Sequence, residues 1–336
     1  MSVSSREKER TPETLSHGLR FLIVTQSVDT EDSILGFFVR WIEEFAKHSE
    51  KITVVCLRKG KYSLPKHVEV IALGDGHRIR RAFELCSLSL GRRSEYDAVF
   101  AHMSPEFVVA AGWLWRLMGK KVGLWYVHKS VTMWLRIAVF FSNIEFTAAK
   151  ESFRLATKKL VITGHGIDTD FFKPDIMEKR GVHLLSVGRL YTSKRHDLVI
   201  DVAAKTKRQL RIVGDGPEKE ALRKYAEAKG ADVQFLGGLN HDKLRTEYRH
   251  AYALVHTSET GGLDKVVLEA AASALPIVST SPVTFAVLEV PVTEAHIDAI
   301  VSALDRVSLS RSLVQSVREN HSLESTVKKI IAVYDR

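Results

Sequence analysis

Short apolar runs, rich in β-branched residues, alternate with longer segments whose apolar positions recur three and four apart, and this alternation covers nearly the whole chain. In the first half, runs at 19–25, 52–57, 68–73, 97–101, 121–127 and 143–147 predict strands, and 33–48 predicts an amphipathic helix. Strands spaced by helices mean βαβ units and a mostly parallel sheet, because a parallel return needs a crossover long enough to hold a helix. The alternation breaks once. Residues 163–181 (TGHGIDTDFFKPDIMEKRG) are rich in Gly, Asp and Lys and hold Pro174, which predicts an interdomain linker. Strands then resume at 183–187, 210–213, 233–236, 253–256 and 276–279, with helices at 194–205, 218–229, 241–250 and 263–273, and 294–336 reads as helical throughout. The predicted fold class is α/β, as two halves joined by a hinge.

Composition removes several alternatives. A chain of 336 residues is long enough for two such domains and needs no covalent staples to bury its cores. Its two cysteines, Cys56 and Cys86, are expected as reduced thiols, and no zinc-type spacing is present. Residues 1–17 are polar and lack the apolar stretch of a secretory signal, so a disordered leader and a cytoplasmic chain are expected. The most apolar region, 107–117, is too short to span a bilayer and carries Arg116.

Charge is unevenly distributed. The net charge is +9, yet residues 76–163 hold 14 Lys and Arg against 6 Asp and Glu, leaving the remainder close to neutral. A basic region of this kind suits an anionic partner, or is a solvated surface. Trp113, Trp115, Arg116, Lys120 and Lys121 within it fit peripheral contact with an anionic membrane.

Three segments of the second half carry chemistry. The strand at 183–187 runs into Gly188-Arg189-Leu190, with Lys194 in the next turn. A glycine lets backbone approach a ligand, and the two cations suit a pyrophosphate. The strand at 210–213 meets Gly214-Asp215-Gly216-Pro217, a tight turn opening a helix. Residues 256–265 (HTSETGGLDK) lead into VVLEAAASALPIV, where free N–H groups at a helix start would meet an anion. Glu269 lies among apolar neighbours in that helix, and a buried carboxylate requires a partner such as a sugar diol.

In order and spacing, SVGRL-x4-K, VGDGPE, FLGGL and HTSETGGLDKVVLEAAASALPIV resemble the donor domain of family-4 glycosyltransferases of the GT-B fold. The linker GHGIDTDFF resembles that family's interdomain signature, and the first half fits more loosely. The resemblance implies two Rossmann-like domains, 18–163 for the acceptor and 182–315 for the nucleotide sugar. Their parallel sheets would face each other across a cleft, with 164–181 between them and 316–336 crossing back. It implies that Arg189 and Lys194 hold the donor diphosphate and stabilise it as it leaves. Glu269 would bind the ribose, and backbone around Leu236 and Gly237 would line the base. Gly188, Gly214, Gly262, Leu263 and Asp264 would make loop contacts. Gly36 matches a first-loop glycine, and His128 a histidine near the reacting carbon.

The reaction implied is retaining transfer of a sugar from a UDP- or GDP-linked donor to a glycan or lipid-linked acceptor. No cofactor, metal or nucleic acid is expected. Gly261 departs from the family, which has a carboxylate eight residues before the ribose glutamate; Glu259 or Asp264 would have to replace it. That departure motivates the alternative of a catalytically silent nucleotide-sugar-binding protein. The Asp168-Thr169-Asp170 triplet reads as structural, and both His102 and His128 lie at predicted strand ends. A Rossmann dehydrogenase would need G-x-G-x-x-G after the first strand, where this chain has QSVDTEDSILG.

Overall fold

The computed structural model describes residues 18–74, 76–128, 130–175, 180–260, 262–288, 290, 293–308 and 310–336. The predicted leader 1–17 and Gly261 therefore lie outside the described residues. The first series of elements is β1 (Arg20–Val28), α1 (Phe37–Ala46), β2 (Lys51–Lys59), β3 (Val68–Ala72), α2 (Arg78–Gly91), β4 (Ala98–His102), α3 (Pro105–Leu117), β5 (Lys121–Trp125), α4 (Met133–Phe141), β6 (Ile144–Thr147) and β7 (Leu160–Ile162). The second is β8 (Leu184–Val187), α5 (His196–Thr206), β9 (Leu210–Val213), α6 (Lys219–Lys229), β10 (Val233–Gly237), α7 (His241–His250), β11 (Ala253–His256), α8 (Lys265–Ala272), β12 (Ile277–Ser279), α9 (Pro282–Leu288), α10 (Ile297–Leu304), α11 (Arg311–His321) and α12 (Leu323–Tyr334).

Both sheets are parallel, in the orders β3-β2-β1-β4-β5-β6-β7 and β10-β9-β8-β11-β12. Each is covered on both faces, as a parallel sheet requires. In β1, Leu22 and Val24 pack under α2, α3 and α4, while Phe21 and Ile23 pack under α1 and α12. In the second sheet, α5, α6 and α10 cover one face and α7, α8 and α11 the other.

The final helix belongs spatially to the first domain. Leu323, Val327, Ile330 and Tyr334 lie in its core, and the Tyr334 hydroxyl donates to the Val99 carbonyl at 2.7 Å. The two crossings between domains run side by side. Ile167 N–H donates to the His321 carbonyl at 2.8 Å, and Leu323 N–H returns to the Ile167 carbonyl at 2.7 Å.

Some sequence expectations shift. Ile167, Phe171 and Phe172, inside the expected linker, are buried in the second core, so the crossing proper is shorter than 163–181. Gly164 and Gly166 there have φ of +92° and +64°, and the Trp41 ring occupies the space a side chain at Gly166 would need. The strand expected to reach 127 ends at Trp125, and β7 was not expected. Three residues are too few to show a period. The terminal helical region is three helices, the first ending at Leu304 and the last two meeting at Ser322. Trp115, expected on the basic surface, is fully buried and donates through Nε1 to Ser89 Oγ at 3.0 Å.

Candidate functional site

In an open parallel sheet, ligands bind beyond the carboxyl ends of the strands where the order reverses. In the second sheet that point lies between β8 and β11. Beside it, three glycine turns line the carboxyl ends of β8, β9 and β10. Gly188, Gly214 and Gly237, with φ of +159°, +138° and +70°, follow or end β8, β9 and β10. A side chain on Gly214 would be driven into the Gly188 carbonyl. Gly188 N–H donates to Val213 O at 2.9 Å, and Gly214 N–H to Gly237 O at 2.8 Å. These glycines are needed because backbone stacks on backbone. Leu236, half-buried at the end of β10, packs on the core beneath.

The loops after β8 and β11 are tied together. Thr257 Oγ1 donates to the Lys194 and Arg195 carbonyls at 3.0 and 2.9 Å, and Glu259 N–H to the Ser193 carbonyl at 2.9 Å. Lys194 Nζ reaches Asp264 Oδ2 at 2.5 Å and Ser258 Oγ at 3.2 Å. Asp264 is the residue just before α8, and its Oδ2 also lies 2.8 Å from His256 Nε2. Burial alone would raise the Asp264 carboxyl. The His256 hydrogen bond and the Lys194 charge reverse this and hold it far below the usual carboxylate range. Lys194, expected to face a diphosphate, is therefore paired here with another expected site residue. Arg189 is exposed, its guanidinium 5.2 Å from the Tyr191 ring centroid, and it has no ion pair among the described residues.

Glu269 is on the second turn of α8 and only 2% exposed. It accepts from Tyr248 Oη at 3.1 Å, and Lys265 Nζ stands 3.6 Å from its other oxygen. Lys265 Nζ also lies 3.4 Å from the centroid of Phe37, which belongs to the first domain. Burial lowers the Lys265 ammonium to about 8 and raises the Glu269 carboxyl. Lys265 was not among the expected site residues. Its signal was a lysine heading an otherwise apolar helix, four residues before a glutamate. The loop before it is anchored to the domain crossing, where His165 Nε2 lies 3.0 Å from the Leu263 carbonyl, and Gly262 sits in the same bend.

The first-domain candidates come from the loops and strand ends after β1, β4 and β5. His128 lies three residues beyond β5, is exposed, and accepts from Ser130 N–H at 3.1 Å. Gly36 immediately precedes α1, and a Cβ there would press on the Asp32 carbonyl at 2.5 Å. Gly36 thereby sets the helix start from which Phe37 reaches Lys265. His102 ends β4 at the first sheet's own reversal point. It is stacked on Phe38 with centroids 3.8 Å apart and 5.3 Å from Trp125, and burial pushes it down to about 3. Asp168 is bonded to Arg40 at 2.9 Å and accepts the Phe171 N–H at 2.9 Å, a structural role. No group of three or more metal-ligating side chains is gathered among the described residues.

Comparison with known proteins agrees with this architecture. Residues 167–319 match the family described as glycosyl transferases group 1. The phosphatidylinositol N-acetylglucosaminyltransferase gpi3 subunit of Schizosaccharomyces pombe is 29% identical over 135 residues, 38% of this chain. The match spans 30% of that relative's length, so the chain corresponds to under a third of it. An uncharacterized glycosyltransferase of Haemophilus influenzae is 28% identical over 259 residues, covering 70% of this chain and 68% of that one. AviGT4, a glycosyltransferase involved in avilamycin A biosynthesis, superposes with a TM-score of 0.69 over 95% of this chain and 97% of its own, at 14% identity. With two parallel α/β domains, a returning terminal helix and these similarities, the chain has the GT-B fold, and its residues 167–319 are of the glycosyl transferases group 1 type.

Proposed function

We propose that this chain transfers a hexosyl group from a UDP- or GDP-linked sugar to a glycan or lipid-linked acceptor, with retention and without a metal, in the cytoplasm. The observation carrying this reading is the junction of the β8 and β11 loops, which sets Lys194 at the start of α8 beside the loop that bears Arg189. A donor diphosphate at this junction meets two cations and the N–H groups of a helix start. The sugar–phosphate bond breaks and its electron pair passes to the diphosphate. The acceptor hydroxyl bonds to the sugar carbon on the same face, and its proton goes to the departing phosphate oxygen. The protein's main contribution is electrostatic, since fixed cations stabilise charge that grows in the transition state.

Asp264 orients Lys194, which has three donors and so keeps others for phosphate. Glu269 takes the ribose diol once Lys265 releases it. Closure about the two crossings excludes water from the donor. A thermal-shift screen against UDP, GDP and their sugars tests the reading, because a ligand of the folded state raises Tm. A shift with one nucleotide, followed by product with a suitable acceptor, is expected. No shift with any nucleotide sinks it.

A second reading, a silent nucleotide-sugar-binding protein, is favoured by Gly261 at the family's carboxylate position. It predicts the thermal shift with neither transfer nor donor hydrolysis.

A further inference from the structure

The outer helices of the first domain carry an unusual surface. Of the large apolar side chains exposed on the described residues, Ile79, Phe83 and Leu90 lie on α2, Trp113 and Leu117 on α3, and Met133, Trp134, Ile137 and Phe140 on α4. The spacings are helical: 79 and 83, 113 and 117, and 133, 137 and 140 each form a stripe. Phe83, Leu117 and Phe140 are 73%, 78% and 75% exposed. The three helices pack side by side over one face of the sheet, with their opposite, buried stripes in its core. Each helix is therefore apolar on two sides, and only the inner side is covered. Scattered apolar residues need no explanation, but stripes on adjacent helices do.

Charge identifies the occupant. Exposed Arg78, Arg116 and Arg136 stand on the same helices, with no carboxylate partner among the described residues. Arg80 pairs with Glu84 at 3.0 Å, and Glu106 lies at the start of α3. A second copy of this face would bring like charges together as it buried the stripes. A bilayer with anionic headgroups satisfies both components: apolar side chains enter the acyl boundary while arginines stay at the phosphates. Tryptophan suits that boundary.

We infer that the α2–α3–α4 face docks on a bilayer containing anionic phospholipid, and that the acceptor is drawn from that bilayer. α4 follows the loop that leaves the carboxyl end of β5 and holds His128. Docking thus places the acceptor side of the cleft next to the lipid surface. The identity of the acceptor rests on the transferase reading above; docking itself does not.

The test is flotation of the full chain with phosphatidylcholine vesicles, with and without phosphatidylglycerol. At least tenfold more protein should float with the anionic lipid at low salt. Phe83→Ser with Phe140→Ser, and separately Arg116→Glu with Arg136→Glu, should each reduce this tenfold or more. Both pairs are exposed, so Tm and the nucleotide-induced shift should be unchanged. Sedimentation should report a monomer for all three proteins. Equal flotation on neutral vesicles, no flotation at low salt, or a wild-type dimer that the serine pair dissociates would each overturn docking. If flotation holds but no nucleotide shifts Tm, docking stands and the transferase reading falls; the reverse result separates them the other way.

Discussion

The two sheets reverse strand order in the same way, yet their reversal points are filled with opposite chemistry. Between β8 and β11 stand Lys194, Asp264, His256 and Ser258, with exposed Arg189 nearby. Between β1 and β4 stands a neutral His102, sandwiched by Phe38 and Trp125 and touching Thr25 Oγ1 at 3.3 Å. One topology thus yields a mouth lined with charged side chains and a packed aromatic plug. Strand order locates a crevice, but side chains decide whether it takes charge. The two points meet through Phe37 and Lys265, so the plug of one domain helps close the mouth of the other.

This contrast can be broken at several places. The largest effect is expected for Glu269→Ala. It strands a buried ammonium at Lys265 and the Tyr248 hydroxyl, and should cost about 3 kcal/mol of stability as well as the nucleotide response. Urea unfolding and thermal shift measure both, and a neutral outcome would mean that the pair is not desolvated. His102→Ala comes next. It opens a cavity between stacked rings and should cost about 2 kcal/mol, with turnover per folded molecule within about threefold of the parent. A large loss of turnover at full stability would move His102 into the reaction and erase the contrast.

Arg189→Ala and Lys194→Ala should give the mirror image. Turnover falls tenfold or more, roughly 2 kcal/mol apiece. The exposed Arg189 should leave stability within about 0.5 kcal/mol. Near-normal activity in both would end the leaving-group role.

The smallest effect concerns acid. His102 is depressed in the folded state to about 3 from an ordinary value of 6.5, so the unfolded chain takes up the proton first. Its contribution is complete above about pH 6.5 and is lost as pH falls towards 3, by at most ~1.4 kcal/mol per pH unit. His102→Gln should therefore lose less stability than the parent between pH 7 and pH 5. Equal losses would show that other groups set the acid limit.

Much of the fold was legible because it is written locally. The runs at 210–213 and 253–256 match β9 and β11 residue for residue, and 241–250 matches α7, since period and caps depend on near neighbours. The glycine turn after β9 was legible for the same reason. Trp115 was misplaced because a tryptophan beside an arginine looks the same in a string whether it faces the sheet or the solvent. Phe171 and Phe172 look like linker in the sequence because they follow glycines and aspartates, although the second core absorbs them.

The amino-acid order by itself determined the two βαβ series, their division near 163 and the glycine turn after β9. Only tertiary structure decided that Lys194 pairs with Asp264, that Lys265 sits between Glu269 and Phe37, and that the last helix completes the first domain. The physical reason is distance along the chain. A helix or strand is chosen by residues a few positions apart, whereas a buried charge takes whichever partner the packed sheets bring to it.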